Sequence, residues 1–159
     1  MKIDIYTDGS ARGNPGPGGY GIVMTSGEFR KEISQGFRLT TNNRMELLAV
    51  IVALEQIKDQ GREVLVTSDS KYVVDSVEKG WVFNWVNKSF KDKKNPDLWK
   101  RFLKIYGSHK VKFKWVKGHN NHIENERCDT LAVKASHKEN LRVDLGYEQV
   151  VQNNKGMFN

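Results

Sequence analysis

Apolar and polar residues alternate in several short stretches of the chain, a pattern typical of β-strands with one buried face. Ser26 and Gly27 separate the second of these stretches from the third, and such a two-residue connection indicates an antiparallel hairpin. The glycine- and proline-rich stretch at residues 13–19 is predicted to be a loop from its turn chemistry. The predicted strands cover residues 2–8, 20–25, 28–37, 63–67 and 111–115.

Apolar residues at helical spacing, or in runs too long for a strand, predict helices. The longest run makes residues 43–57 a buried helix that ends near Gly61. Pro96 can open a later helix, because proline is favoured at the first helical position. The tail from residue 144 is polar and shows no period, so we expect it to fray. The predicted helices cover residues 43–57, 70–77, 80–86, 96–106 and 123–136.

This order of elements predicts an α/β fold. Three strands in a meander, followed by strands that alternate with helices, indicate a mixed sheet with helices on both faces. Ligands of such sheets tend to lie beyond the strand ends, near a change in strand order. We find no internal repeat and no linker, so we expect one catalytic or binding domain at residues 1–140 and a flexible tail at 141–159.

Composition narrows the class of protein. The chain has 159 residues, of which 38% are hydrophobic, and that content is too high for wholesale disorder. No apolar run reaches the length of a membrane-spanning helix, and the first eight residues do not have the pattern of a signal peptide. The single cysteine, Cys128, excludes a disulfide scaffold and leads us to expect a cytoplasmic location.

The net charge of +7 is unevenly distributed. Residues 79–117 contain twelve Lys+Arg and two acidic residues, net +10, whereas the remainder of the chain is net −3. A basic block suggests a polyanionic partner, although composition alone fits a solvated lysine-rich face about as well. Aromatic residues between the lysines favour nucleic acid, because aromatic rings can stack on bases while lysines neutralise phosphates. These aromatic residues are Trp81, Phe83, Trp85, Phe90 and Trp99.

Four acidic residues lie at places where carboxylates could meet: Asp8, Glu46, Asp69 and Asp129. Each has an ordinary structural explanation when it is taken alone. Asp8 could start a turn, Asp69 could cap the following helix, and Asp129 could be a surface acid. Glu46 could form a capping box with Asn43 three residues earlier.

Taken together, the four acids predict a metal site. Asp8 and Asp69 both end predicted neighbouring strands, and Glu46 is the one charge in the apolar run 45–54 of a helix that would pack on them. Converging carboxylates repel each other unless cations lie between them, and oxygen ligands favour Mg²⁺ or Mn²⁺. Two such ions could activate water and stabilise the leaving oxygen of a phosphodiester. No Cys/His set has the spacing of a zinc site.

Several runs in the same order carry a resemblance to a known family: YTDGS, GNPGPGGY, TNNRMEL, TSDSKYV, WVKGH and ENERCD. From about residue 2 to residue 137 the chain resembles type 1 ribonuclease H, the endonuclease that cuts the RNA strand of an RNA–DNA hybrid. The resemblance implies a ribonuclease H-like fold with a five-stranded mixed sheet. It also implies an RNA–DNA hybrid as partner, two Mg²⁺ ions as cofactors with Mn²⁺ as a substitute, and a monomer.

The resemblance implies a role for particular residues. Asp8, Glu46, Asp69 and Asp129 match the metal-binding catalytic carboxylates, and His119 matches a loop histidine that assists proton transfer or product release. The implied products carry 5′-phosphate and 3′-hydroxyl ends. The positions that match substrate contacts are Asn14, Thr41, Asn42, Asn43, Lys71, Trp81, Trp85, Lys88, Lys91, Lys93, Lys94 and Asn95.

Two features depart from the family pattern. Lys71 stands where relatives often have glutamine, so its contact would be to a phosphate rather than to a base edge. The loop between Trp85 and Pro96 is shorter than the longest basic protrusions of the family. Two other functions remain open at this point: a non-catalytic nucleic-acid-binding module, and a DNA-cutting nuclease on the same fold.

Overall fold

The computed structural model describes residues 2–118 and 122–156, and a five-stranded mixed sheet forms its centre. The strands are β1 (Ile3–Ala11), β2 (Gly16–Ser26), β3 (Phe29–Thr40), β4 (Glu63–Ser68) and β5 (Lys110–Trp115). They lie in the order β3-β2-β1-β4-β5. β2 is antiparallel to both of its neighbours, β1 and β3, whereas β4 and β5 run parallel to β1. The mixed sheet expected from the sequence is therefore confirmed.

Six helices lie in the part of the chain that the structure describes. They are α1 (Asn42–Glu55), α2 (Lys71–Glu78), α3 (Trp81–Asn87), α4 (Pro96–Tyr106), α5 (Ile123–Ser136) and α6 (Leu145–Gly156). The bounds of α4 and α5 coincide with those predicted, and those of α1, α2 and α3 differ by one or two residues at each end. The helix α6 was not expected.

Helices cover both faces of the sheet. On one face, Ile5 and Ile22 are fully buried in the core that α1 shares with α2 and α4. On the other face β2 presents Gly19 and Gly21, and a Cβ at Gly21 would lie 2.2 Å from the backbone oxygen of Cys128 in α5. The glycines of β2 therefore let α5 pack directly against the strand backbone.

The structure corrects three predicted boundaries in the first three strands. Residues 16–19 belong to β2 rather than to a loop, because Gly18 and Gly19 pair with β1. Gly19 also lies against α5, where a Cβ would be 2.6 Å from the backbone oxygen of Ala132. β1 also continues to Ala11, since Asp8 pairs with Gly21 and the later residues keep the same antiparallel register. The hairpin loop moves by one residue, to Gly27 and Glu28, and Gly27 has the positive φ of +60° that such a turn requires.

The expectation that the tail lacks regular structure is wrong for residues 145–156, which form α6. Its attachment is polar: Arg38 forms a two-pronged ion pair with Glu148, and the buried Asp144 binds Arg44 of α1. An apolar period cannot reveal a helix that is held by ion pairs. The division of the chain at residue 140 and the flexibility of residues 141–159 stay predictions.

Candidate active site

The parallel pairing of β1 with β4 places Asp8 and Asp69 side by side at the same end of the sheet. The last parallel pair between β1 and β4 joins Tyr6 to Thr67, and each aspartate follows two residues later. β1 continues past this point only with β2, so the side next to Asp8 is left open beyond the end of β4. This is the change in strand order at which such sheets bind ligands.

Glu46 reaches the same point from α1. Gly9 follows Asp8 and has no side chain, and a Cβ there would lie 2.4 Å from the backbone nitrogen of Glu46. The Gly9 amide donates hydrogen bonds to the carboxylates of both Asp8 and Glu46. Ligand oxygens of Asp8, Glu46 and Asp69 all lie within 4.8 Å of one another. The close approach of β1 to α1 therefore builds a three-carboxylate cluster.

Other residues perform the capping functions that could have explained these acids. Thr41 caps α1, and its hydroxyl accepts a hydrogen bond from the Arg44 amide. Ser70 caps α2 in the same way, with its hydroxyl accepting from the Val73 amide. Glu46 and Asp69 are therefore not consumed by helix capping.

Burial and mutual repulsion alter the acidity of the cluster. Burial, together with the charges of Asp69 and Asp129, raises the pKa of Asp8 to about 7 against the lowering effect of its hydrogen bonds. Burial also raises the pKa of Glu46 well above its usual range, and the neighbouring Asp8 charge adds to the shift. Glu46 is only 7% exposed and lies among other acids. Its ionisation is therefore costly unless a cation compensates the negative charge.

Asp129 lies apart from this tight cluster but on the same cleft. It extends from α5 and shares the lining of a narrow pocket with Asp8 and Asp69. Two residues to which the sequence analysis assigned no role, His122 and Glu126, line that pocket as well. The spacing of three residues between Glu126 and Asp129 on a predicted helix was the available signal for Glu126. His119 lies outside the described residues.

A second, wider cleft of about 410 Å³ opens beside the cluster and carries the predicted amides. Asn42 and Asn43 line it together with Lys71. The Asn42 side chain accepts a hydrogen bond from the Ala11 amide, and the Asn42 amide donates to the Asn14 side chain. Asn14 and Asn42 therefore fix the loop before β2 to the start of α1, whereas Asn43 is exposed.

Thr41 and Asn95 are linked through Arg44. Thr41 binds the Arg44 amide, and the Arg44 guanidinium donates a hydrogen bond of 3.3 Å to the side-chain oxygen of Asn95. Arg44 is buried and binds Asp97 and Asp144 through paired hydrogen bonds, a role that the sequence does not predict. An arginine beside an apolar run was the only signal in the sequence.

The basic residues on either side of α3 lie on the surface, and several place their ammonium groups over aromatic rings. The ammonium of Lys93 lies 5.2 Å from the centre of the Trp85 ring, and that of Lys79 lies 5.4 Å from the Trp81 ring. The ammonium of Lys71 lies 4.8 Å from the Trp115 ring, beside the carboxylates. Trp99 and Phe90 are instead buried. The remaining predicted lysines, which are exposed, are Lys88, Lys91 and Lys94.

The cluster suits a hard divalent cation. Its donor atoms are carboxylate oxygens, and a buried carboxylate with a raised pKa beside two other acids is what a bound cation would neutralise. Asp8, Glu46 and Asp69 have the geometry to hold such an ion, and Asp129 borders the same space.

Comparison with known proteins defines the class. The family model for RNase H matches residues 1–137. A ribonuclease H from Trichodesmium erythraeum is 56% identical over 152 residues, covering 92% of this chain and 96% of the relative. A ribonuclease H from Desulforamulus reducens is also 56% identical, covering 91% of this chain and 93% of the relative.

The solved structures to which this chain is similar include other RNase H proteins. LC9-RNase H1, described as a type 1 RNase H with the type 2 active-site motif, is 33% identical with a TM-score of 0.76. The match covers 85% of this chain and 72% of that protein. LC11-RNase H1, solved in complex with an RNA/DNA hybrid, is 31% identical with a TM-score of 0.62, covering 84% of this chain and 95% of the other.

The fold and the carboxylate cleft thus define a nuclease of the ribonuclease H class. The chain belongs to the RNase H family, as the sequence resemblance indicated. Within the described residues, no helix is both long enough and apolar enough to span a bilayer.

Proposed function

We propose that this protein hydrolyses the RNA strand of RNA–DNA hybrids and leaves 5′-phosphate and 3′-hydroxyl ends. The convergence of Asp8, Glu46 and Asp69 at the edge of an amide-lined cleft carries this proposal. The hybrid found with LC11-RNase H1 supports the choice of substrate. Two divalent ions, Mg²⁺ or Mn²⁺, held by these residues and Asp129 would activate water and stabilise the leaving oxygen.

Several residues of the chain would fix the geometry around the scissile phosphate. Gly9 holds the Glu46 carboxylate through its amide, so this acid cannot swing away from Asp8. Asn43 and Lys71 are exposed on the same cleft, where they could bind the sugar edge and the phosphate of the RNA strand. We expect the 2′-hydroxyl to be read next to Glu46, because it is the group that distinguishes RNA from DNA.

The basic surface would bind the DNA strand. The residues assigned to it are Trp81, Trp85, Lys88, Lys91, Lys93 and Lys94, with Thr41 and Asn95 assigned to a phosphate of the DNA strand. Asn14 and Asn42 are assigned to contacts near the minor groove of the hybrid. His119 is assigned to proton transfer or product release on the strength of the resemblance alone. We further propose that the protein is cytoplasmic and monomeric. Equilibrium sedimentation of the full chain would test the oligomeric state.

A cleavage assay on three substrates tests the function. Labelled RNA–DNA hybrid, single-stranded RNA and duplex DNA are incubated separately with Mg²⁺ and with chelator. We expect loss only of the RNA strand in the hybrid, only with metal, and with fragments that a 5′-phosphate-dependent exonuclease degrades. Binding without cleavage would instead indicate a non-catalytic module, and cut DNA would indicate a DNA nuclease.

The substitution Asp8→Asn tests the site. It removes one charge from the cluster without changing the shape of the side chain, so we expect cleavage to be lost and hybrid binding in chelator to be retained. Asp4→Asn on the same strand is the matched control, since Asp4 pairs with exposed Lys2 and should not affect activity. Full activity of Asp8→Asn would overturn the assignment.

A further inference from the structure

One buried arginine connects the C-terminal segment to the proposed hybrid-binding surface. The Arg44 side chain is only 3% exposed, and all five of its N–H groups face acceptors. Nε and Nη2 donate to Asp144 at 2.8 Å each, and Nη1 and Nη2 donate to Asp97 at 2.9 and 2.7 Å. The remaining contact, from Nη1 to the Asn95 oxygen, is the longest at 3.3 Å.

Asn95 is held in an unusual conformation by this arginine and by one tyrosine. Its φ of +63° lies in the left-handed region, which is uncommon for a residue with a side chain. The side-chain oxygen accepts from Arg44, and the side-chain nitrogen donates to the Tyr72 hydroxyl at 3.1 Å. Both ends of the amide are therefore fixed, at the junction between the basic loop and α4.

Asp144 is equally well fixed on the other side of Arg44. It is 7% exposed, and its carboxylate accepts a hydrogen bond of 2.7 Å from the Thr40 hydroxyl. Gly146 in the first turn of α6 packs so closely that a Cβ would lie 2.1 Å from an Asp97 oxygen and 3.0 Å from Arg44 Nη2. The C-terminal segment thus closes over the arginine and completes its set of partners.

We propose that Asp144 is a positioning residue for hybrid binding, which acts through Arg44 on the orientation of the Asn95 side chain. Without the Asp144 carboxylate, Arg44 keeps its paired contact with Asp97 but is free to turn about it. The long contact with Asn95 is then the first to be lost. This inference rests on the proposed function, in which Asn95 contacts the DNA strand.

Kinetics of Asp144→Asn on the hybrid test this role. We expect KM to rise about three- to tenfold with kcat changed less than about twofold, because the carboxylate cluster is not touched. Asn95→Ala should give a similar rise, and the double variant should give no more than either single one. Assays are run well below the melting temperature of each variant, measured by circular dichroism.

Glu148→Gln is the matched control. It also weakens the attachment of α6, through Arg38 on β3, but its partner is not Arg44. We expect it to lower the melting temperature while KM stays unchanged. If Asp144→Asn does not fold, Thr40→Val removes only the hydroxyl that holds Asp144 and should raise KM by a smaller factor.

An unchanged KM in the folded Asp144 or Thr40 variant, or additive effects of Asp144→Asn and Asn95→Ala, would overturn the inference. An equal rise in KM with Glu148→Gln would reduce Asp144 to a structural role and also overturn it. Failure of the wild-type chain to cleave hybrid would reject the proposed function instead. In that case the same variants are compared by fluorescence-anisotropy titration of labelled hybrid, where a loss of affinity confined to Asp144→Asn, Thr40→Val and Asn95→Ala supports the positioning role.

Discussion

At the scale of single residues, the carboxylate cluster depends on how closely β1 approaches α1. Gly9 provides that approach, and its amide is shared between Asp8 and Glu46. A residue with no side chain therefore determines where two acidic side chains meet. The same arrangement leaves Glu46 buried, so its charge is tolerated only beside a compensating partner.

We predict that Gly9→Ala will impair both activity and stability. The added methyl group would overlap the α1 backbone, and a displacement of α1 moves Glu46 away from Asp8. We expect hybrid cleavage to fall at least about tenfold and the free energy of unfolding to fall by about 1–3 kcal/mol. Steady-state rates and urea titrations measure the two effects.

Gly107→Ala is the control for this substitution. Gly107 follows the last residue of α4 and has an ordinary φ of −69°. Apart from its chain neighbours, no described residue has an atom within 4 Å of the place that a methyl group at Gly107 would occupy. We expect the activity and stability of this variant to match those of the wild type. Unimpaired cleavage by Gly9→Ala would show that the cluster does not depend on this contact.

We predict that the metal-free protein loses stability as the pH rises from about 4 to about 7. The pKa of Asp8 is raised from 3.8 to about 7 by burial, so the folded state keeps a proton that the unfolded chain has already released. The unfolded state then binds fewer protons, and the free energy of unfolding falls with pH. Glu46 contributes in the same direction, because burial raises its pKa as well.

Urea titrations in chelator at several pH values measure this slope. Asp8→Asn removes one of the titrating groups and the charge beside the other, so its stability should fall less over the same range. The difference between the two proteins isolates the cluster from acids that act in the opposite direction, such as Glu32. The hydrogen bond from Arg127 lowers the pKa of Glu32 to about 2. Parallel slopes for both proteins would contradict the prediction.

At the scale of elements, the sequence predicts best where a local signal and the tertiary contacts agree. α4 begins at Pro96 and buries Trp99 and Phe102 on one face, so proline and apolar spacing locate it. β1 is longer than its alternating apolar pattern predicts. It pairs with β4 only as far as Tyr6 but continues with β2 as far as Ala11. Residues 16–19 have turn chemistry, yet they belong to a strand in which close packing of α5 requires glycine at position 19.

The candidate site was predictable in its acids but not in its supporting contacts. Asp8 and Asp69 follow apolar strands, and Glu46 interrupts an apolar helix, which are signals that a single sequence can carry. The capping roles of Thr41 and Ser70 could not be separated from those of their neighbours, because several residues there can cap a helix. The role of Arg44 depends on partners about 50 and 100 residues away, which no local pattern reveals.

At the scale of the whole molecule, charge is divided between two surfaces. Residues 79–117 carry a net charge of +10. The carboxylate cluster, at the point where β4 ends beside β1, belongs to the remainder of the chain, whose net charge is −3. The ammonium groups of Lys79 and Lys93 lie over tryptophan rings of α3, so the basic surface includes both kinds of side chain. This arrangement leads us to expect that hybrid affinity falls steeply with salt.

We predict that neutralising Lys91, Lys93 and Lys94 together weakens hybrid binding for all sequences. The slope of log affinity against log salt concentration should fall by up to about 3, because each lysine that binds a phosphate contributes about one unit. Anisotropy titrations at several salt concentrations give the slope.

The control neutralises three lysines at the opposite end of β1. Neutralising Lys2, Lys31 and Lys58 changes the net charge by the same amount. These lysines lie near Ile3 and not near the carboxylate cluster. We expect this variant to keep the wild-type slope. Equal slopes for all three proteins would show that the basic segment is only a solvated face.

The placement of the four tryptophans gives the molecule a built-in optical probe. Trp81 is 42% exposed and Trp85 is partly buried beneath Lys93, both on the surface proposed for the hybrid. Trp115 is also 42% exposed and lies beside the carboxylate cluster, where its indole N–H donates to the Asp69 backbone oxygen. Trp99 is fully buried, and its indole N–H donates to the Tyr72 hydroxyl. Hybrid binding should therefore quench a red-shifted part of the emission and leave a blue-shifted part from Trp99 as an internal reference.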